Sequence, residues 1–408
     1  MEEEQKMING LKYWGQLLLL PIYWLSFLFP RDKRIWLFGS TFGRRFADNP
    51  RYFYLYVSQH KEELDIRPIW ISHDKGIVEF LNQKGYEAYY YHSLQGIWYA
   101  LRGKVYLFDN YSKDINFWQS GGAVKVNLWH GIPLKKIQAD NIFDKFRHPK
   151  NLWEKWKNYP RNLSDEKPGH YVLTTSEFMK PIFSAAFRTE RVLINGYPRN
   201  DSMLSEELVN IYTVTEEKVL KGIRERVQQK NLKVIYYMPT FRDSETKFFE
   251  VVDLVQLNQF LEKNSLLFCV KLHPKSKLRR EFEKIESPNI VVIDQDTDPY
   301  VFIESSDMLI TDYSSIYFDY ILSGKPVVFF AYDLKEYLQD AREMYFDYEE
   351  YTPGVKAYNA EELESAVLSV LRDNTLYERA REQMIEKMFI DGKGEGSGSL
   401  VKKIKEIL

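Results

Sequence analysis

The chain of 408 residues has a single cysteine, Cys269, which lies inside the apolar run 266–270. One chain can therefore form neither an internal disulfide nor a cysteine metal cluster, which is typical of proteins from a reducing compartment. The formal net charge is only −2, so nothing predicts a nucleic-acid partner. The sequence also contains no Walker-type phosphate loop, no internal repeat and no low-complexity tract.

Acidic motifs that would indicate other enzyme classes are missing as well. No pair of carboxylates has the spacing of a glycosidase. No Asp-x-Asp motif stands where it could chelate a metal for a nucleotide. Asp294 and Asp296 have that spacing, but they follow a strand of the C-terminal half, and loop capping explains them better. The sequence therefore predicts a reaction that uses neither a metal nor another cofactor.

Residues 1–30 differ from the rest of the chain. The acidic start at residues 2–4 argues against a secretory signal peptide. Residues 13–30 carry no charge and are rich in leucine and aromatic residues, and basic residues follow at 31–34. This pattern predicts a membrane-associating helix on the bilayer surface. A helix packed on the protein itself, or a true membrane span, are the alternatives.

From residue 34 onward, short apolar runs alternate with helical patterns, which predicts an α/β protein with doubly wound sheets. Strands are predicted at 34–39, 66–72, 87–91, 104–108, 125–129, 170–175, 192–195, 234–237, 266–271, 290–293, 308–310 and 326–330. We divide the chain into the segment 1–30, an N-terminal Rossmann-like domain 31–195, a C-terminal Rossmann-like domain 196–392 and a tail helix 393–408. Two such domains predict a cleft between them, where large substrates usually bind.

Polar residues follow several of these strands, and ligands of such sheets collect at the carboxyl ends of strands. The C-terminal half supplies hydrogen-bond donors that suit a diphosphate. They are Arg242, Lys271, His273, Thr311, Ser314 and Ser315. A short helix is predicted after Ser315, because Thr311, Asp312, Ser314 and Ser315 are all capping types, and Asp319 lies on the same helix face as Ser315. Ordinary helix capping, and for His273 a structural role, are the alternatives.

The N-terminal half supplies His130, which follows the predicted strand 125–129. Imidazole can take up a proton at physiological pH, so His130 is a candidate general base. A purely structural histidine is the alternative.

The long insertion 134–170 mixes basic and aromatic residues. Such a mixture suits a surface that binds lipid phosphates, and an insertion beside a candidate active site is more often functional than structural. A solvated helical hairpin is the alternative.

Seven motifs together resemble those of the CDP-glycerol glycerophosphotransferase family, whose members act in teichoic acid and capsule synthesis. The resemblance covers nearly the whole chain from residue 34, and the order of the motifs makes it specific. The motifs are Asp48-Asn-Pro-Arg51, Leu128-Trp-His-Gly-Ile-Pro-Leu-Lys135, Gly196-Tyr-Pro-Arg-Asn-Asp201, Met238-Pro-Thr-Phe-Arg-Asp243, Lys271-Leu-His-Pro274, Thr311-Asp-Tyr-Ser-Ser-Ile-Tyr-Phe-Asp319 and Asp391-Gly-Lys393.

The resemblance implies a GT-B architecture, a CDP-polyol donor bound mainly by the second domain, and a role for each matching residue. His130 becomes the base that deprotonates the acceptor hydroxyl. Arg242 and His273, with Lys271, would hold the diphosphate; Thr311, Ser314 and Ser315 would contact phosphate, and Asp319 the nucleotide or glycerol. The residues expected on the acceptor side are Asp48, Asn49, Arg51, Lys135, Pro198 and Arg199.

The function that the resemblance implies is transfer of glycerol phosphate from CDP-glycerol to a polyprenyl-diphosphate-linked saccharide, with release of CMP. The short leader before the first strand favours a primase-like enzyme over a long-chain polymerase. We expect a peripheral protein in contact with membrane lipids on the cytoplasmic face of the bacterial membrane, and a homo-oligomer is left open. The alternatives are a ribitol-phosphate transferase or polymerase, another GT-B enzyme such as a glycosyltransferase or nucleotide-sugar epimerase, and a non-catalytic binding subunit.

Overall fold

The structure is a computed structural model that describes residues 10–164, 169–205, 208–242, 246–273, 276–340, 343–390 and 395–408. These residues form two compact units. The first unit takes in the described residues of 1–130, 138–210 and 393–408, and the second those of 131–137 and 211–392.

The first unit contains a seven-stranded parallel sheet with strand order β3-β2-β1-β4-β5-β6-β7. Its strands are β1 Asp32–Phe38, β2 Arg67–Ser72, β3 Ala88–Tyr90, β4 Gly103–Phe108, β5 Val124–Asn127, β6 Tyr171–Thr174 and β7 Val192–Ile194. Its α-helices are α1 Leu20–Leu25, α2 Asp48–Gln59, α3 Lys61–Leu64, α4 Lys75–Gln83, α5 Leu94–Arg102, α6 Leu152–Ser164, α7 Lys180–Phe187 and α8 Pro198–Leu204, with α18 Gly396–Glu406 from the C-terminus.

The second unit contains a six-stranded parallel sheet with strand order β10-β9-β8-β11-β12-β13. Its strands are β8 Lys233–Tyr237, β9 Leu266–Val270, β10 Ile290–Val292, β11 Met308–Thr311, β12 Val327–Phe330 and β13 Val355–Ala357. Its α-helices are α9 Val214–Lys230, α10 Thr246–Val251, α11 Leu254–Lys263, α12 Leu278–Glu283, α13 Ile316–Tyr320, α14 Leu334–Asp340, α15 Tyr348–Tyr351, α16 Ala360–Arg372 and α17 Glu378–Met388.

Both sheets reverse their strand order beside the first strand, as Rossmann-like sheets do. The central strands are apolar runs whose side chains are almost all buried, because helices cover both faces of a parallel sheet. The predicted α/β class with two parallel-sheet domains is therefore confirmed. Strand β13 was not predicted, because Val355-Lys-Ala357 contains a lysine and forms no apolar run.

The predicted domain boundaries need correction. Residues 196–210 belong to the first unit, where the side chain of Arg199 pairs with Asp48 of α2 at 2.6 Å. The described end of the predicted tail helix also belongs to the first unit, since the carboxylate of Asp201 accepts hydrogen bonds from the N–H groups of Gly396 and Ser397 at 3.0 and 2.7 Å. Residues 131–137 belong to the second unit. Such long-range pairings leave no local sequence signal.

The motif Asp48-Asn-Pro-Arg51 forms the first turn of α2, where proline is tolerated because the N–H that it lacks would have no partner there. One local prediction was wrong. The helix predicted after Ser315 is α13, which has only five residues, and the Ser315 side chain does not cap it. The motif residues Asp243, Pro274 and 391–393 lie outside the described residues.

The leader is a series of short helical pieces. Residues 10–15 are helical, 3-10 turns follow at Gln16–Leu19 and Ser26–Leu28, and α1 lies between them. Tyr23 stacks on Phe117 at 4.8 Å, so one side packs on the first unit. No helix in the described residues is both long and apolar enough to cross a membrane.

The basic residue Arg31 after the leader serves the fold. Its guanidinium donates hydrogen bonds to the carbonyl groups of Ala100 at 2.6 Å, Gly103 at 3.0 Å and Gln119 at 2.6 Å. The Nη1 and Nη2 groups of this residue are therefore already bonded inside the first unit and are not offered to lipid headgroups in this structure.

A buried pair of carboxyl groups fixes the loops that follow β1 and β4. Asp109 accepts hydrogen bonds from the Ser40 hydroxyl at 2.7 Å and the Thr41 N–H at 2.9 Å. Asp114 accepts from the N–H groups of Phe42 and Asn110, both at 2.9 Å. Burial, together with the charge of Asp109, raises the pKa of Asp114 well above its usual range. The pKa of Asp109 is also raised, first by burial and then by the charge of Asp48.

We expect Asp114→Asn to flatten the pH dependence of stability. A carboxyl group with a raised pKa in the folded chain binds its proton more tightly when folded. Its contribution to the free energy of unfolding is therefore greatest below about pH 4, and it falls by about 1.4 kcal/mol per pH unit up to the raised pKa. Urea unfolding between pH 4 and 8 measures the slope. Equal slopes in the native and variant proteins would show that Asp114 does not hold this proton.

Candidate active site

His130 lies three residues after the end of β5, and its imidazole ring is exposed. Its Nδ1 is 3.1 Å from the backbone carbonyl oxygen of Asp109. A carbonyl oxygen can only accept a hydrogen bond, so Nδ1 carries the proton in the neutral ring. The other nitrogen, Nε2, has no hydrogen-bond partner within the described part of the chain. The contact therefore leaves a lone pair on Nε2 that can accept a proton.

The segment that carries His130 is held by the residues predicted to lie on the acceptor side. The side-chain amide of Asn49 donates hydrogen bonds to the carbonyl groups of Leu128 at 3.2 Å and Trp129 at 2.9 Å. The Trp129 ring packs edge-on against Phe187, with ring centroids 4.8 Å apart. The structure thus brings the Asp-Asn-Pro-Arg and Trp-His-Gly motifs together.

Four of the six predicted acceptor residues are buried. Asn49 and Arg51 of α2 and Pro198 and Arg199 of α8 are all inside the first unit. The Arg51 guanidinium stacks over the ring of Phe46 at 5.0 Å. These four side chains are buried in this structure, and their predicted contact with an acceptor stays a prediction. Asp48 remains partly exposed and pairs with Arg199.

The second unit has its own cluster of charged and aromatic side chains, at the carboxyl ends of β8, β11 and β12. Arg242 forms an ion pair with Asp312 at 2.7 Å and donates two hydrogen bonds to Asp333 at 2.5 and 2.8 Å. Tyr313 donates to Asp333 at 3.0 Å. Burial acts to lower the pKa of Arg242, but the charges of Asp312 and Asp333 outweigh it and raise the pKa.

This cluster corrects the prediction that the second unit offers donors only. Asp312 directly follows β11, and Asp333 lies three residues after the end of β12, so the strand-end rule that singled out Arg242 also covers them. Arg242 pairs with both Asp312 and Asp333, so the cluster contains one basic and two acidic groups.

Lys135 lies in the second unit and not in the predicted N-terminal domain. It forms an antiparallel bridge with Met344, and its Nζ is 5.5 Å from the centre of the Tyr337 ring. Tyr337 stacks on Tyr313 with ring centroids 4.0 Å apart. Lys135 therefore belongs to the surroundings of Arg242.

The remaining predicted donor residues fall into two groups. His273 is exposed, its ring is 4.9 Å from that of Phe241, and it lines one small pocket with Arg242. Ser314 and Ser315 are partly exposed. These three side chains and the Arg242 cluster share the edge of the sheet where a ligand could bind.

Lys271, Thr311 and Asp319 face inward. The Lys271 Nζ donates to the Asp294 carbonyl at 2.5 Å, and the Thr311 hydroxyl donates to the Met238 carbonyl at 2.7 Å. Asp319 is fully buried and accepts a hydrogen bond from the Tyr300 hydroxyl at 3.4 Å. All three side chains hold the loops of the site in this structure and present no group to a ligand.

Metal ligands are a separate matter. The described ranges contain no group of three or more histidine, cysteine or acidic side chains that could hold a metal ion. The prediction of a reaction without a metal remains a prediction.

Comparisons with known proteins cover nearly the whole chain. A teichoic acid poly(glycerol phosphate) polymerase of Bacillus spizizenii is 29% identical over 86% of this chain and 88% of the relative. A teichoic acid glycerol-phosphate transferase of Staphylococcus aureus is 27% identical over 91% of this chain and 93% of the relative. Ribitol-phosphate enzymes also occur among the relatives.

The solved structures agree on the fold. The wall teichoic acid polymerase TagF, in a variant crystal soaked with CDPG, superposes with a TM-score of 0.71 at 23% identity, covering 100% of this chain and 98% of that chain. This likeness shows the fold, a GT-B-type combination of two parallel-sheet domains. The model of the family CDP-Glycerol:Poly(glycerophosphate) glycerophosphotransferase matches residues 22–406. The chain is therefore an enzyme of the CDP-glycerol:poly(glycerophosphate) glycerophosphotransferase family.

Proposed function

We propose that the protein transfers glycerol phosphate from CDP-glycerol to a hydroxyl group of a lipid-linked glycan and releases CMP. The observation that carries the proposal is the His130 ring, whose Nδ1 donates to the Asp109 carbonyl and leaves Nε2 available. Family membership supports the donor class. Relatives named as transferases and as polymerases both match over most of their length, so the number of units added has to be read from the products.

In the proposed reaction, Nε2 of His130 takes the proton from the acceptor hydroxyl as its oxygen attacks the glycerol-bound phosphorus. The bond between that phosphorus and the oxygen bridging to CMP breaks, and CMP leaves with the electron pair. Fixed positive charge and hydrogen-bond donors stabilise such a transition state more than covalent catalysis does. No metal is required in this scheme.

Donor binding is assigned to the second unit. Arg242 and His273 line the same pocket, and Ser314 and Ser315 follow β11 at the same sheet edge. Because Arg242 already pairs with Asp312 and Asp333, a diphosphate has to compete with these carboxylates for the guanidinium. Donor affinity is therefore set by both the arginine and its acidic partners.

A membrane position is proposed from one surface of the first unit, which we call the aromatic surface. It consists of the leader residues 13–28 and helix α6. Trp14 packs on Trp156 at 4.3 Å, and the Tyr13 hydroxyl donates to the Lys157 carbonyl at 2.6 Å. Large apolar side chains on this surface are exposed, although water disfavours such exposure. They are Leu18, Trp24, Leu25, Phe27, Leu28, Leu152, Trp153 and Trp156.

Basic side chains accompany these apolar residues. Lys155, Lys157 and Arg161 all belong to α6. An anionic leaflet attracts such lysines and arginines while the aromatic side chains enter the headgroup region. We therefore propose a peripheral enzyme on the cytoplasmic face of the membrane, with the lipid-linked acceptor drawn from the same leaflet.

A ribitol-phosphate transferase is the second candidate function, favoured by the ribitol-phosphate enzymes among the relatives. The two candidates share the proposed chemistry and differ only in the polyol. Parallel assays with CDP-glycerol and CDP-ribitol separate them, because the preferred donor releases CMP faster at equal concentration.

His130→Ala should lower CMP release by about a hundredfold or more, because it removes the base. CMP release from CDP-glycerol with a lipid-linked disaccharide as acceptor is measured in the presence of EDTA, which also tests the metal-free scheme. Circular dichroism serves as the control for folding, and no fold loss is expected at an exposed side chain. Unchanged turnover in the variant would remove His130 from the mechanism.

Arg242→Ala should weaken CDP-glycerol binding. Asp333→Asn should strengthen it by about fivefold, because the variant loses about 1 kcal/mol of repulsion between the Asp333 carboxylate and the diphosphate. Calorimetric titration measures both. Lys233→Ala is the control, since Lys233 pairs with Asp307 at the opposite end of β8. Normal affinity in Arg242→Ala would place the diphosphate elsewhere, and weaker binding in Asp333→Asn would make Asp333 a supporting residue instead of a competitor.

Replacing both Leu152 and Trp153 by serine should reduce sedimentation with vesicles that contain anionic lipid, because each side chain loses apolar area that would enter the bilayer. The control is Val255→Ser, which alters an exposed apolar residue of the second unit. Undiminished binding of the double variant would assign membrane contact to another part of the protein.

A further inference from the structure

The loop that carries His130 has a strained backbone. Trp129 adopts φ +53°, in the left-handed region, and Gly131 has φ +145°. A large aromatic residue rarely adopts a positive φ, because its Cβ crowds the neighbouring carbonyl group. Such conformations persist only where surrounding contacts hold them, and they are common at active sites. The contacts that hold Trp129 therefore decide where the His130 ring lies.

One side chain supplies most of that support. The Asn49 amide donates to two consecutive carbonyl groups, those of Leu128 at 3.2 Å and Trp129 at 2.9 Å. The second of these belongs to the peptide bond that joins Trp129 to His130. Asn127 adds one more contact, because its Oδ1 accepts the Trp129 N–H at 2.8 Å.

The orientation of the Asn49 amide is fixed by its partners. The side chain is fully buried. Its Oδ1 accepts the backbone N–H of Arg199 at 3.3 Å, while its NH₂ group faces two carbonyl oxygens. A flipped amide would place an oxygen against two acceptors and an NH₂ group against a donor, so only this orientation satisfies every partner. The Arg199–Asp48 ion pair holds α8 against α2 beside it.

We propose that Asn49 is a positioning residue: through its hydrogen bonds to the carbonyl groups of Leu128 and Trp129, it fixes where His130 lies. The proposal rests on the proposed role of His130 as base. Without the two hydrogen bonds, the Trp129 peptide can relax from its strained conformation. The ring of His130 then leaves the Asp109 carbonyl, and the proton is no longer confined to Nδ1.

Donor affinity should not change, because the residues assigned to the donor lie in the second unit. The expected signature is therefore a loss of kcat without a rise in the KM for CDP-glycerol. Replacing a residue that served only general stability would neither change the tautomer of one histidine nor lower kcat at an unchanged KM for CDP-glycerol.

The first experiment observes the ring directly. Nitrogen-15 spectra of the seven histidines are recorded for the native full chain, and the His130 signals are assigned by their absence in His130→Ala. The native protein should show the tautomer with the proton on Nδ1. In Asn49→Ser, which keeps one hydroxyl donor, and in Asn49→Ala, the two tautomers should mix, more strongly in the alanine variant. An unchanged His130 signal in both variants would overturn the proposal.

The second experiment measures turnover. Because small displacements of a catalytic group are costly, we expect kcat to fall about a hundredfold in Asn49→Ala and about tenfold in Asn49→Ser, with the KM for CDP-glycerol within about twofold of native. Tyr54→Phe is the matched control. Tyr54 lies on the same helix, is buried, and donates one hydrogen bond to the Glu87 carbonyl at 2.8 Å. The control should keep native kcat, and an equal loss in the control would mean that Asn49 acts only through stability.

A double variant separates this proposal from the proposed function. In a His130→Ala background, Asn49→Ala should change the residual rate by less than about threefold, because residues that act as a unit are not additive. If His130→Ala alone leaves turnover intact, the role of His130 fails whatever Asn49 does. If His130→Ala abolishes turnover while Asn49→Ala keeps native kcat and the native tautomer, only the positioning role fails.

Discussion

The hydrogen bond from His130 Nδ1 to the Asp109 carbonyl connects the fold to the chemistry of this enzyme. It joins the loop after β5 to the end of β4. These two strands pair with each other, and their carboxyl ends lie at the same edge because the pairing is parallel. The bond assigns the proton to one ring nitrogen and leaves the other as an acceptor. The buried carboxyl pair of Asp109 and Asp114, the Asn49 amide and the strained Trp129 backbone all surround this one contact, and each limits where the ring can lie.

The two units solve different electrostatic problems. In the first unit, a hydrogen bond to the Asp109 carbonyl holds the His130 ring, and burial raises the pKa of the carboxyl groups of Asp109 and Asp114. In the second unit, Arg242 lies among tyrosine rings and pairs with two carboxylates, so its positive charge is already partly neutralised. Under the proposed function, a diphosphate bound there would have to replace these contacts, which would favour a strongly anionic ligand over a weakly charged one.

The two parallel sheets could be predicted from the sequence, because buried parallel strands leave apolar runs. Polar residues after such runs lie at the carboxyl edge of the sheet, where ligands usually bind. His130, Arg242 and His273 were singled out in this way. The same rule does not distinguish a side chain that faces a ligand from one that holds a loop, and it therefore could not show that the side chains of Lys271 and Thr311 are buried. The pairing of Asp312 and Asp333 with Arg242 was not predicted, because a diphosphate site calls for hydrogen-bond donors and not for carboxylates. The long-range pairings of Asp201 with Gly396 and of Lys135 with Met344 depend on tertiary structure and leave no periodic pattern.

The proposed reaction moves glycerol phosphate from CDP-glycerol to a hydroxyl group. Mass spectrometry of the products formed from CDP-glycerol and a synthetic lipid-linked disaccharide is its sharpest test. We expect the mass of the acceptor to increase by one or more glycerol phosphate units, with one CMP released for each unit. Release of no CMP from CDP-glycerol or CDP-ribitol, or transfer of a sugar from a UDP-sugar, would contradict it.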